Sequence, residues 1–224
     1  MRATDVMGRN VITVHPDTEI ADAIKLLVAH DISALPVVDE HGKLVGIMSE
    51  ADLMRRTEIG TEKQRPHWIE SLMGAATLAG EFTKSHALKV GEIMTEEVVS
   101  VSEDASLAEI ATLFERHRIK RVPVTRDGAV VGIVSRSNLI QALASAVGNI
   151  DQHDETDRQI RLDLLSRLQE QSWTDFGSRN VIVSNGVVHL WGLVGSEAER
   201  KALLALAERV PGVSRVSDEM IAAY

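Results

Sequence analysis

Two stretches of this chain, Asp5–Leu53 and Glu92–Leu139, lie over each other with one single-residue indel. VMGRNVITVHPDTEIADAI runs parallel to IMTEEVVSVSEDASLAEIA, and HDISALPVVDEHGKLVGIMSEADL to HRIKRVPVTRDGAVVGIVSRSNL. A duplication of this kind constrains architecture before any local signal does, because each copy builds the same unit. Two copies are too few for a solenoid, whose units must stack to bury their faces. They favour a pseudo-twofold pair packed face to face.

Each copy has the same local pattern. A short β-branched run comes first, Val11-Ile12-Thr13-Val14 in one and Val98-Val99-Ser100-Val101 in the other. A helical pattern follows. Copy one spaces Ile20, Ala23, Ile24, Leu27 and Val28 along one face; copy two spaces Leu107, Ile110, Ala111 and Phe114 behind a capping box of Ser106 and Glu109. Two strands joined by a glycine turn come next, and a second helix opens at Ser49 or Ser135. The order predicts an α+β unit, β-α-β-β-α, with helices on one face of a small sheet. His30 and His117 hold equivalent positions at the ends of the first helices, where a cation suits the dipole.

Ser49-x-x-Asp52 and Ser135-x-x-Asn138 each carry two readings. As helix caps, Ser and Asp or Asn satisfy orphan backbone N–H groups. As a ligand site, the same helix N-terminus attracts an anionic phosphate, and the carboxylate accepts hydrogen bonds from a ribose diol. A basic stretch lies close by: Arg116, Arg118, Lys120, Arg121, Arg126 and Arg136, with only Asp127 among the acids. In a chain of net charge −9, such local gathering suggests either a small anionic ligand or a solvated face.

The paired pattern of Leu35-Pro36-Val37 or Val122-Pro123-Val124, then G-x-[LV]-V-G-I-x-S-x-x-[DN], resembles a tandem of CBS domains, often called a Bateman module. The resemblance implies an adenine-nucleotide pocket, for AMP, ADP or ATP, in the cleft between the copies. Adenine would stack against Ile12, Leu35 and Pro36, or against Val99, Val122 and Pro123, with backbone groups near Thr13 and Ser100 reading its edge. It also implies that Ser49 and Ser135 approach phosphate and that Asp52 holds ribose. Asn138 departs from the family's acid, so site one is the better ribose holder. Phosphates would converge on Lys120, Arg121 and Arg136. A homodimer formed through the helices is a further implication.

Residues 55–91 form a linker in which Pro66 would open a helix carrying Ile69, Leu72, Met73 and Ala76, while Trp68 and Phe82 pack on the sheet or at a dimer seam. The chain then divides as repeat one at 1–54, repeat two at 92–145, a polar hinge at 146–156 and a last domain at 157–224. In that domain Ile160, Leu164, Leu165 and Leu168 share a helix face. Asn185-Gly186 between two apolar runs marks a type I′ hairpin. A capping box of Ser196 and Glu199 opens a helix bearing Ala198, Ala202, Leu203 and Leu206, and a final strand follows. This α-β-β-α-β order, with Gly192 after the second strand and Gly212 at the helix end, resembles a BON domain.

Composition removes several function classes. There is no cysteine, hence no disulfide or thiolate metal site. The acidic balance disfavours nucleic acid. The histidines are dispersed, and no nucleophile elbow or Walker loop occurs, so no catalytic residue or resident metal is expected. No basic n-region with an apolar run opens the chain and no run reaches membrane-span length, which points to the cytoplasm. The expected function is a nucleotide-sensing regulator, without enzymatic activity or a required cofactor, that signals to a separate partner protein. The alternatives are a dimeric scaffold with an empty cleft and a peripheral phospholipid binder acting through the BON-like part; a basic face for membrane contact is lacking.

Overall fold

The computed structural model describes residues 1–54, 59–61, 77, 82, 85–146, 155–177 and 180–223. The expected linker helix around Pro66, Trp68, and most of the expected hinge fall outside them. In chain order the elements are α1 (Ala3–Val6), α2 (Ile20–Ala29), β1 (Ala34–Val38), β2 (Leu44–Ser49), α3 (Glu50–Leu53), β3 (Val101–Ser102), α4 (Leu107–Arg116), β4 (Arg121–Arg126), β5 (Ala129–Ser135), α5 (Arg136–Ala146), α6 (Glu155–Gln169), β6 (Val181–Ser184), β7 (Val187–Val194), α7 (Glu197–Glu208) and β8 (Arg215–Ala222). The fold is α+β.

Two units result, and their division does not follow the duplication. One comprises Val11–Val98 with Asp127–Val130; the other comprises Met1–Asn10, Val99–Arg126 and Val131–Tyr224. The first ten residues therefore fold with copy two, and residues 85–98, which include the start of copy two, fold with copy one.

In the unit built on copy one, β1 and β2 form an antiparallel pair in the register Ala34↔Ser49, Leu35↔Met48, Pro36↔Ile47. The strand expected over Val11–Val14 shrinks to one bridge, Val14↔Val37. Val14 donates its N–H to Pro36 O and accepts from Val38 N–H, after which the chain turns away at His15–Thr18 and the ladder cannot extend. Helix α2 buries Ile20, Ala23 and Leu27. Ile24 and Val28 stay 39% and 77% exposed, so the apolar stripe is wider than the core beneath it. Val90 and Ile93 complete that core, and Thr95 bridges to Ile47. Gly46 has no Cβ for a reason: one would overlap Met94 Sδ. Phe82 does not pack on the sheet; it is 64% exposed and stacks on His86 with ring centroids 4.0 Å apart.

The other unit repeats this device with the opposite half of the chain. Val6 and Met7 enter a core with Ile110, Phe114, Val122, Val124, Val134 and Ala142. Gly8 bridges to Ile133, and a Cβ on Gly132 would overlap Met7 Sδ. Its strands run β3-β4-β5, with β3 parallel to β4. The Ser106–Glu109 capping box forms as expected, Ser106 Oγ accepting from Glu109 N–H at 3.2 Å and Glu109 accepting from Ser106 N–H at 2.7 Å.

The C-terminal domain belongs to this same unit. Helix α6 buries Ile160, Leu164, Leu165 and Leu168 against the sheet β6-β7-β8, in which β7 pairs antiparallel with β6 and parallel with β8. Asn185 (φ 52°) and Gly186 (φ 73°) make the expected type I′ turn. Four expectations are corrected here. Glu155 and Thr156 begin α6 rather than ending a hinge, and the adjacent Asp157 is buried. Gly192 lies inside β7, where its φ of 110° and the nearby Asn180 side chain exclude a Cβ. Ala198 is exposed, one turn before the buried line of Leu203 and Ala207. Only half of the second capping box forms: Ser196 accepts from Glu199 N–H, but Glu199 accepts from Gly195 N–H and Thr174 Oγ1.

His189 lies on the outer face of this sheet, 9% exposed, with a buried Nδ1 that has no hydrogen-bond partner among the described residues and sits 3.6 Å from Glu219 Oε1. Burial lowers its pKa below the usual 6.5, Glu219 only partly opposing that shift, while Arg215 adds to it. In the window between the depressed folded value and 6.5, the unfolded chain binds more protons than the folded one. Stability contributed by His189 is therefore present above pH 6.5 and lost as pH falls through the folded pKa. His189→Gln is expected to flatten the loss of stability on acidification below pH 6.5, as read by urea unfolding at stepped pH. An unchanged acid limb would remove His189 as its source.

Candidate functional site

The copy-one part of the expected site is built at one end of its sheet. Thr13 precedes the Val14 bridge, and Ser49 ends β2 opposite Ala34, the first residue of β1. Glu50 N–H donates to Ser33 O, turning the chain directly into α3. Asp52 Oδ2 accepts from Ser49 N–H at 2.8 Å and from Ser49 Oγ at 2.9 Å. The cap therefore forms, yet it uses one carboxylate oxygen. Oδ1 of the partly exposed Asp52 accepts no bond from the described residues.

Copy two has the same cap in amide form. Asn138 Oδ1 accepts from Ser135 N–H and Ser135 Oγ, both at 2.8 Å. Asn138 is only 5% exposed. Its single carbonyl oxygen is thus committed to the cap, and the other end of the side chain is a donor rather than an acceptor.

Strand alternation sorts the expected adenine-stacking residues. Successive side chains point to opposite faces. Leu35 and Val122, each 0% exposed, point into the two cores, so neither offers a surface to a ligand. Pro36 and Pro123 follow them on the opposite faces and are buried as well. Ile12 and Val99 are partly buried against those same cores, and Ser100 is exposed.

The basic stretch separates in the same way. Arg136 N–H donates to Lys120 O at 3.0 Å, so the start of β4 meets the start of α5 and brings Lys120, Arg121, Ser135 and Arg136 together. Arg136 and Lys120 are exposed. Arg126 does not join them: five residues along β4 place it about 16 Å away, and its Nε donates to Glu103 at 2.6 Å. His30 and His117 terminate α2 and α4 as C-caps, as expected. Two cavities of about 250 Å³ occur elsewhere, one beside Arg9, Leu168 and Phe176 and one beside Arg2, Asp5 and Arg158. Neither includes any expected ligand residue.

A duplicated α+β unit with a capped serine after its last strand, followed by an α-β-β-α-β domain, defines a two-part class of protein. Residues 3–58 and 90–145 match the CBS domain, and residues 156–223 match the BON domain. The chain belongs to the CBS-domain family and carries a BON domain after the CBS pair. Uncharacterized protein MJ1426 of Methanocaldococcus jannaschii is 34% identical over 154 residues, covering 64% of this chain and 91% of that protein. CBSX2, a chloroplastic CBS domain-containing protein of Arabidopsis thaliana, is 30% identical over 140 residues, 60% of this chain and 59% of its own. The crystal structure of CBSX2 in complex with AMP superposes with a TM-score of 0.56 at 28% identity, covering 64% of this chain and 97% of that one. No helix among the described residues is long and apolar enough to cross a membrane.

Sequence reasoning missed Arg161 and Asp157, both buried charges of α6. Their partners lie far away in the chain, so spacing carried no signal for either.

Proposed function

We propose that this chain is a non-enzymatic regulatory module whose CBS pair binds an adenine nucleotide and passes the event to a separate protein. The observation that carries this reading is the open Oδ1 of Asp52, on a carboxylate whose other oxygen is held by Ser49. A carboxylate fixed in this way is oriented before a ribose diol arrives. The meeting of Lys120, Arg121 and Arg136 at the start of α5 supplies positive charge for phosphate, helped by the helix N-terminus. AMP bound to the similar CBSX2 supports the ligand class. Thr13, Pro36, Ser49 and Asp52 are the ligand residues proposed in repeat one; Ser100, Pro123, Lys120, Arg121, Ser135 and Arg136 are those proposed in repeat two, whose Asn138 offers no free acceptor. Exposed Ile24 and Val28 on α2, and Ile140 and Leu143 on α5, are apolar surface that a homodimer would cover.

The test is Asp52→Asn with AMP titrated into the full chain by calorimetry. An amide can keep the Ser49 cap as Asn138 keeps that of Ser135, so stability should change by less than about 0.5 kcal/mol. Loss of one charged acceptor for the diol, about 1.5 kcal/mol, should weaken AMP roughly tenfold. Thermal stabilisation of the wild-type chain by none of AMP, ADP or ATP would overturn the reading in favour of a ligand-free scaffold.

A further inference from the structure

Below its ligand-facing end, the second repeat is fastened to the BON domain by two separate sets of contacts. The first runs along α5. Ser135 just before it and Asn138 in its first turn form the cap described above, and its last turn carries Ser145, whose Oγ accepts from Trp191 Nε1 at 3.3 Å. Trp191 and Ile182 project from the outer face of the BON sheet into the core that holds Ile110, Phe114 and Val134. The second runs through β5, which ends at Ser135. Ile133 exchanges two backbone hydrogen bonds with Gly8, each 2.9 Å, and Met7 packs on Gly132. Arg161 of the BON domain then donates to Met7 O at 2.9 Å and to Thr4 O at 3.3 Å, while its Nε donates to Val181 O at 2.9 Å. Arg158 adds an ion pair to Asp5 at 3.0 Å.

Both routes begin at the junction of β5 and α5; the first ends on β6 and β7, the second on α6 and β6. We infer that the BON domain is the output arm of the second repeat, its seating set by what occupies the Ser135–Arg136 junction. A ligand phosphate drawn to that junction pulls on the end of β5 and the start of α5 together. The two elements meet the BON domain through Met7–Arg161 on α6 and Ser145–Trp191 on β7, so a shift of either repacks a shared core rather than a loop. Close-packed cores respond to such shifts by changing between discrete arrangements. The inference rests on the nucleotide reading above, and it adds the direction of the signal: from the ligand through the second repeat to the outer face of the BON sheet.

Trp191 is the reporter. Ser145 lies nine residues into α5 from Arg136, about 13 Å along the helix, so bound AMP acts on the Ser145–Trp191 contact through the fold and not by touching it. The full chain labelled with 5-fluorotryptophan gives a resonance for Trp191 that disappears in Trp191→Phe. On titration with AMP this resonance should move or split. By reciprocity, Ser145→Ala and Trp191→Phe should each change the AMP dissociation constant at least threefold while the thermal unfolding profile stays cooperative. AMP heat in the wild-type chain with an unmoved Trp191 resonance, and affinities in both variants equal to wild type, would overturn the inference and leave the nucleotide reading standing. No AMP heat in the wild-type chain would overturn the nucleotide reading, and the inference with it.

Discussion

Arg161→Met is expected to destabilise the chain by about 3 kcal/mol and to loosen the BON domain from the second repeat before either unfolds. Arg161 is 2% exposed and donates to three backbone carbonyls, those of Val181, Thr4 and Met7. Thr4 and Met7 lie at the C-terminal end of α1, where carbonyls lack intrahelical partners and attract a cation. Burial, with the nearby Arg9 charge adding to it, pushes the Arg161 guanidinium down to about 10, which leaves it protonated at neutral pH. Two effects oppose each other in the variant. Removing the charge relieves its desolvation, while three buried acceptors lose their donors at roughly 1–3 kcal/mol each. The second wins because methionine fills the stem volume but offers no hydrogen. Arg161→Lys should fall between, since one ammonium cannot reach carbonyls on both β6 and α1. Urea unfolding read by tryptophan emission and by far-ultraviolet dichroism distinguishes the cases: in Arg161→Met the emission change should precede the dichroism change. Coincident transitions within 1 kcal/mol of wild type would mean that water satisfies the carbonyls and that Arg161 is no fastening.

Features carried by neighbouring residues were legible in the sequence. The Ser106–Glu109 box, the Asn185-Gly186 turn and the α6 face of Ile160, Leu164, Leu165 and Leu168 depend on contacts a few residues apart, and all formed. What depends on distant partners was not legible. Alignment of the copies pairs Met7 with Met94 and Gly46 with Gly132, but it is silent on which methionine meets which glycine. The fold exchanges them, with Met7 on Gly132 and Met94 on Gly46. The family motif placed Leu35 and Val122 on the ligand side, whereas β alternation turns both into the cores. Charge counting placed Arg126 with Lys120, but Glu103 holds it at the far end of β4. The polar run before Ile160 read as a hinge because the groups that hold Asp157 are 28 and 29 residues further on.

That same Asp157 supports the second large expectation. Its Oδ2 accepts from Asn185 N–H and its Oδ1 from Gly186 N–H, each at 2.7 Å, and the residue is 5% exposed. Both turn residues hold positive φ, so their N–H groups point out of the hairpin toward one side, and α6 delivers a carboxylate there from its first turn. Position in that first turn also sets the negative charge against the positive end of the helix dipole. Asp157→Ala removes two charge-assisted bonds and leaves two donors without acceptors, a cost of about 3 kcal/mol. Asp157→Asn should recover less than half, because the amide has one acceptor oxygen and its nitrogen would face an N–H. The competing account is that Asn-Gly alone holds the turn, with the carboxylate incidental. Amide exchange separates them: in Asp157→Ala the Asn185 and Gly186 protons should exchange much faster than in the wild-type chain, with a lower unfolding midpoint. If their exchange and the midpoint both stay at wild-type values, the turn is self-sufficient, and the burial of Asp157 contributes nothing to joining α6 to the hairpin.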